Sequence, residues 1–370
     1  MSEWKNVKLG EILVIKKGEY ITKKEARVGI YPVILGGKEP AYFVDKYNHV
    51  GKAIVISRSG ASAGYVSFWN EPIFVTDGFL IEPKNDVTYE FLYYALKSKQ
   101  KLLHNIQQGA AIPHVTPRLI SDIDFTFPDN TTQQRIATIL SRYDSLIENY
   151  QKQIKLLEES AQRLYKEWFI DLRFPGHENT KIVDDVPEGW EKKKITELVN
   201  VQYGYAFDGK LFNSNSEGMP ILRIRNIPDG ITSDYTTEEA SADYVVHNGD
   251  IVVGMDGIFH INTWSGGDAY LVQRTCSFRP IEEVIKGFIF LAIKEPIKYF
   301  EQTLVGSTVA HLGKKHIDSI EILVPNRKEL FKSLQDIFNQ RQNMLYQIRH
   351  LTEARDRLLP KLMSEEIKIN

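Results

Sequence analysis

The segment Gly60-Ala61-Ser62-Ala63-Gly64 has the G-x-S-x-G spacing, in which a serine on a sharp strand-to-helix turn acts as a nucleophile. That elbow needs a helix directly after the serine. Here Tyr65-Val66-Ser67-Phe68-Trp69 reads as a second strand, so the segment is expected to be a loop or hairpin. Phosphate-binding G-x-x-x-x-G-K-[ST], dinucleotide-binding G-x-G-x-x-G and zinc-binding H-E-x-x-H patterns are not found. Asp256, Asp268 and His260 are metal-ligand types, but a second stretch of the chain matches them with Ser59, Glu71 and Ala63, which argues against a repeated metal site. His114 and His311 sit in the matching runs G-A-A-I-P-H-V and G-S-T-V-A-H-L. For them a cap or a core slot is preferred over a contact to phosphate or a base edge. The expectation is a non-catalytic chain with no cofactor or metal of its own.

The matching runs belong to an internal repeat. Shifting the sequence by 197 aligns residues 54–128 with 251–325 without a gap and gives fifteen identities in seventy-five positions. Average composition predicts about five. Ile54-Val55 meets Ile251-Val252, Gly60 meets Gly257, and Pro128 meets Pro325. Ahead of this block a shift of 186 matches Trp4, Glu11 and Gly18 with Trp190, Glu197 and Gly204.

Each copy starts with short β-branched runs bounded by turn residues. They are Tyr31–Leu35, Ala53–Ser57 and Tyr65–Phe68 in the first, and Pro220–Ile224 and Asp250–Val253 in the second. A helical pattern follows at Glu90–His104 or Lys286–Gln302, then a strand at Ile123–Phe127 or Ile320–Val324. Each copy is therefore expected to be an α+β domain.

A heptad seam follows each copy. One is Ile136, Leu140, Tyr143, Ile147, Tyr150, Ile154, Leu157, Ala161, Leu164 and Trp168. The other is Leu330, Leu334, Ile337, Arg341, Met344, Ile348, Leu351, Arg355, Leu358 and Leu362. Unbroken steps of four and three predict helices of ~50 Å that need a partner helix. Two such seams in one chain predict an antiparallel pair with approximate two-fold symmetry. Arg341 and Arg355 are candidates to set its register, and Pro360 is expected to end or kink the second helix. The expected boundaries are a first α+β domain at 1–130, a spacer helix at 131–172, a second domain at 173–328 and a second spacer helix at 329–370.

The N-terminal residues lead into no apolar stretch, and the longest apolar run, Gly287–Ile293, is too short to span a bilayer. The single cysteine, Cys276, excludes an intramolecular disulfide. A cytoplasmic protein with no membrane partner is expected. Net charge is −2 overall. Residues 1–130 carry 16 basic and 14 acidic groups, and residues 171–328 carry 17 and 23. Any nucleic-acid contact must then come from local clusters of cations.

Three segments carry a resemblance. They are Trp168-Phe169-Ile170-Asp171-Leu172-Arg173-Phe174-Pro175-Gly176, Val186-Pro187-Glu188-Gly189-Trp190, and Arg357-Leu358-Leu359-Pro360-Lys361-Leu362-Met363. Together with the order domain, helix, domain, helix, they resemble the specificity subunits of type I restriction–modification systems over essentially the whole chain. The resemblance implies double-stranded DNA as a partner, read as two half-sites around an unspecified gap. It also implies two methyltransferase subunits, and two restriction subunits where restriction is present. S-adenosylmethionine, ATP and magnesium would then belong to those partners.

Arginine forks onto guanine, and asparagine or glutamine onto adenine. On that basis the expected DNA contacts in the first domain are Arg58, Gln107, Gln108 and Arg118, with Lys38 and Lys52 on phosphates. In the second domain they are Arg223, Arg225, Asn226, His260 and Asn262, with Lys314 and Lys315 on phosphates. Arg223 and Arg225 are expected to alternate after a strand and face one side. The competing class is a coiled-coil interaction scaffold that does not bind DNA, for which the acidic second domain is the best argument.

Overall fold

The computed structural model describes residues 4–22, 26–35, 37, 39–84, 87–106, 113–304 and 310–367. The chain divides into two compact units, Met1–Leu146 with Leu351–Asn370, and Ile147–His350.

In the first unit the strand Lys52–Ser57 is apolar from Ala53 to Ile56 because it is buried on both faces. Ile54 and Ile56 join a core with Phe91, Leu96 and Ile136, while Ala53 and Val55 join a second core with Ile34 and Val75. Successive side chains of a strand point to opposite faces, so one strand serves two layers. It pairs antiparallel with Val66–Asn70 and with Phe74–Pro83. The long strand Phe74–Pro83 changes partners along its length. Its first part runs parallel to Val28–Leu35, with a register shift opposite Asp77, and its second part pairs antiparallel with Leu13–Lys17. The first strand, Lys5–Lys8, pairs antiparallel with the last strand of the domain, Asp124–Phe127.

The second unit repeats this plan. Ile251–Gly254 is likewise buried on both faces, Ile251 and Val253 in one core and Val252 in another. It lies in a four-stranded sheet between Thr275–Pro280 and Ile261–Thr263, with Val199–Tyr203 on the outside. The equivalent of the long strand is broken. Ala269–Leu271 belongs to a separate five-stranded sheet, and Thr275–Pro280 to the four-stranded one. Trp190–Lys194 pairs with Glu321–Pro325, as the outer strands of the first domain do.

The repeat also explains two of its glycines. The N–H of Gly18 donates to Gly78 and that of Gly204 to Thr275, each at 3.0 Å. A Cβ at either glycine would run into backbone carbonyls, those of Val75 and Thr76 or that of Val272. Only a residue without a side chain allows this approach.

Several elements differ from the sequence reading. The helix expected at Glu90–His104 is two helices, Tyr89–Ser98 and Gln100–Asn105, and that at Lys286–Gln302 is Lys286–Ala292 and Lys294–Thr303. In the second case Pro296 has no N–H to donate to the carbonyl of Ala292, which breaks the ladder there. The strand expected at Pro220–Ile224 spans Met219–Leu222 and gives way to a 3-10 turn, Ile224–Asn226.

The two long helices are Asn130–Tyr165 and Glu329–Met363, about 54 and 52 Å long at 1.5 Å per residue. Every seam position named above is buried or half-buried. The helices run antiparallel where they meet in each unit. In the first, Asp144 pairs with Arg355 at 2.5 Å while Ile136 and Leu140 share a core with Leu359 and Leu362. In the second, Glu158 pairs with Arg341 at 2.6 Å while Phe169 stacks near Phe331. Helix 329–363 runs through Pro360 and stops three residues later.

The central helix ends in a π-helical turn, Lys166–Ile170. Phe169 is buried in an aromatic cluster with Trp190, Phe288 and Phe331, and Phe174 packs on Trp190 with ring centroids 4.9 Å apart. Lys166 and Arg173 both hold the Asp171 carboxylate, and the side chain of Lys166 keeps that acid below the usual carboxylate range. Two of the three segments that carried the family resemblance thus supply one joint, at which the helix hands over to the second domain.

Candidate nucleic-acid interface

The expected DNA contacts fall into distinct environments. Lys38, Gln107 and Gln108 lie outside the described residues. Lys52 opens its strand and pairs with Glu90 at 2.5 Å. Arg118 is 90% exposed on the short helix Pro117–Ser121, with Asp122 at 3.6 Å. Lys314 and Lys315 are exposed on the counterpart helix, Lys314–Asp318. The repeat shift places Arg118 on Lys315, so one cation occupies the same helix position in both units. His260 is half-buried just ahead of the strand Ile261–Thr263, with its carbonyl bonded to the Gly254 N–H.

Four residues of the second domain are drawn into internal bonds. The Asn226 side chain accepts from the Arg223 N–H at 2.9 Å, which shapes the turn after the strand. Arg223 stacks on Phe212, 5.4 Å from the ring centroid. Arg225 makes a forked pair with the largely buried Asp234, at 3.0 and 2.6 Å. Arg223 therefore caps a 3-10 turn and Arg225 lies within it, and the expected alternation along a strand does not occur. Asn262 donates to the carbonyls of Ile227 and Pro228 and accepts from Arg341 at 3.1 Å. These partners make Asn262 a tie between the turn, the strand Ile261–Thr263 and the C-terminal helix.

Arg341 is 7% exposed and also donates to Thr263 at 2.6 Å. One guanidinium thus holds Glu158 of the central helix and two residues of the four-stranded sheet. Arg341 is buried while Glu158 is partly exposed, so hydrogen bonds to this charged group contribute about 1.5–3 kcal/mol.

The repeat brings a second group together that motif reading left apart. In the first unit the strand Lys52–Ser57 leads into Arg58 and Ser59. Arg58 N–H donates to Asp77 O, Gly60 N–H to Pro113 O, and Val115 N–H to Arg58 O. In the second unit Met255 N–H donates to Arg274 O, Gly257 N–H to Ala310 O, and Leu312 N–H to Met255 O. These are the same three bonds at a shift of 197. A single antiparallel bridge joins Ser59 to His114 in one unit and Asp256 to His311 in the other.

The side chains at this junction differ. In the first unit Asp77 accepts from the Ser59 hydroxyl and faces Arg58 at 3.8 Å. In the second, Asp256 bonds His311 at 2.6 Å and faces Arg274 at 3.5 Å. Arg274 has φ +69°, a left-handed conformation costing a non-glycine residue about 1 kcal/mol. Asp268 bonds a different histidine, His247, at 2.7 Å, so Asp256 and Asp268 go to separate pairs. The signal for this junction lay in the repeat alignment, where Asp77 falls on Arg274 and Ser59 on Asp256. Forked side chains taken one at a time point to Arg58 alone of this group.

Two like α+β units, each including part of two long helices, define a class of two-domain repeat proteins. Residues 1–159 and 187–348 match the family described as the type I restriction modification DNA specificity domain, and the chain belongs to that family. The type I restriction enzyme MjaIX specificity subunit of Methanocaldococcus jannaschii is 29% identical over 341 residues, covering 86% of this chain and 78% of that protein. The MjaVIII specificity subunit of the same organism is 25% identical over 399 residues, covering 99% and 93%. The crystal structure of the S subunit of a type I restriction-modification system from M. genitalium superposes with a TM-score of 0.61 at 19% identity, covering 100% of this chain and 97% of that one. It has the same fold. Among the described residues no helix is long and apolar enough to cross a membrane.

Proposed function

We propose that this chain reads a split DNA target, one half with each domain, and holds the subunits that act on that DNA. The observation that carries this reading is the pair of domains built on one backbone plan with different polar side chains at equivalent loops. One scaffold used twice fits two half-sites, and different side chains fit two different sequences. Family membership supports DNA as the ligand.

The chain itself is non-catalytic in this reading. Two methyltransferase subunits bind it and use S-adenosylmethionine to methylate adenine. Where restriction is encoded, two translocase–nuclease subunits with ATP and magnesium join them. The work of this chain is to position those partners by the sequence it reads.

The test is single-molecule detection of modified adenine in DNA from a host expressing this chain with its methyltransferase subunits. The expected result is two short defined blocks around an unspecified gap. Replacing residues 186–328 by the matching segment of a relative should change one block and leave the other. A continuous motif, or one indifferent to this chain, would overturn the reading in favour of a scaffold that does not touch DNA.

A further inference from the structure

Resting on that DNA-reading role, we infer that the junction shared by the two units reads a G·C base pair in each half-site, with Arg58 as the guanine fork in the first unit and Arg274 in the second. Arginine spans O6 and N7 of guanine in the major groove, and a carboxylate accepts from the N4 amino group of cytosine. Each junction holds one arginine and one aspartate side by side, the pair that a G·C edge requires.

Four observations point to this place. The backbone bonds Arg58–Asp77 and Met255–Arg274, with those to residues 113 and 310, are the same in both units. The scaffold is therefore kept while its load changes. A histidine, His114 or His311, stands in the same bridge in both. The arginines are held loosely, at 3.8 and 3.5 Å from their aspartates, and their side chains are 43% and 57% exposed. Arg225, by contrast, is closed on Asp234 at 2.6 Å. Finally, the short helix that follows the histidine presents Arg118 in one unit and Lys315 in the other, a cation suited to the phosphate flanking the pair.

The acid and the base have also changed sides. The first unit carries arginine at the end of the strand Lys52–Ser57 and aspartate on the strand Phe74–Pro83. The second carries aspartate after the strand Ile251–Gly254 and arginine ahead of Thr275–Pro280. Relative to its own unit, the guanine is therefore read from opposite strands of the two half-sites. Arg274, held left-handed, stands at the repeat position of Asp77 in the first unit.

The experiment compares the methylated motif of the wild-type complex with that of Arg274→Ala, Arg274→Lys and Arg58→Ala. Arg274→Ala should make one G·C position of one block degenerate, with discrimination there falling roughly five- to hundredfold, and leave the other block intact. Arg58→Ala should do the same in the other block. Arg274→Lys keeps the charge without the fork and should relax the same position. Three results would overturn the inference. One is an unaltered motif in both alanine variants, and another is relaxation at an A·T position. The third is loss of all methylation in Arg274→Ala, whether Arg274→Lys restores the unchanged motif or fails too. A wild-type chain that yields no split motif would instead sink the proposed function, which keeps the two failures distinct.

Discussion

Arg341 occupies a seam position that sequence periodicity assigns to an apolar residue, yet it is buried and holds Glu158, Thr263 and Asn262. Arg341→Ala would leave those groups without their guanidinium, and we expect a loss of about 1.5–3 kcal/mol in the urea transition of the second unit. Joint replacement by Arg341→Met and Glu158→Met should recover most of that loss, because a packed apolar pair needs no charge compensation. A double variant no more stable than Arg341→Ala would show that the tie to Thr263 and Asn262 dominates. The surface cations make a different prediction. Lys314 and Lys315 are exposed, and replacing both by alanine in the DNA-binding complex should weaken binding alike on all sequences. The slope of log K against log salt should become shallower by about 2. At this scale the sequence was only partly legible. Residue type alone offered Arg225 and Asn262 as readers, and the fold spends both on internal bonds. It did not offer Arg274, whose partners Asp256 and His311 come from other parts of the chain.

Among the elements, the long helices were the most legible, because a seam repeated over four to five heptads leaves one solution for the buried face. The ion pairs Asp144–Arg355 and Glu158–Arg341 join them. Arg355→Asp should destabilise the first unit by setting two carboxylates face to face. Adding Asp144→Arg should restore most of its thermal stability, as a register pin requires. The joint at the end of the central helix was visible only as a motif. Its π-helical turn has no periodic signature, although it carries Phe169, which is buried against Trp190. Trp190→Ala should cost about 3–5 kcal/mol by emptying that cluster, measured as a lower melting temperature of the second unit. The strand that is whole in the first unit and broken in the second was not legible either. Its halves pair with different sheets, and local propensity cannot choose between sheets.

For the whole chain, the two-unit plan is legible in the repeat, because fifteen identities in one ungapped frame record a shared scaffold. The division of the helices between the units was less open to reading. Leu359, Leu362 and Met363 are buried in the core of the first unit, beside Ile136 and Leu140. This has a consequence for how the chain comes off a ribosome. The second unit, Ile147–His350, is available in full while the first still lacks part of its core. The segment made first must therefore wait, with Ile136 and Leu140 uncovered, until residues 351–363 emerge. A stop at position 351 should injure the beginning of the protein and spare its middle. In hydrogen exchange the strand Lys52–Ser57 would lose protection while Ile251–Gly254 kept it. The first unit is thus finished after the second, and a ribosome stalled before residue 351 would hold a chain in which the unit begun earlier is the less folded.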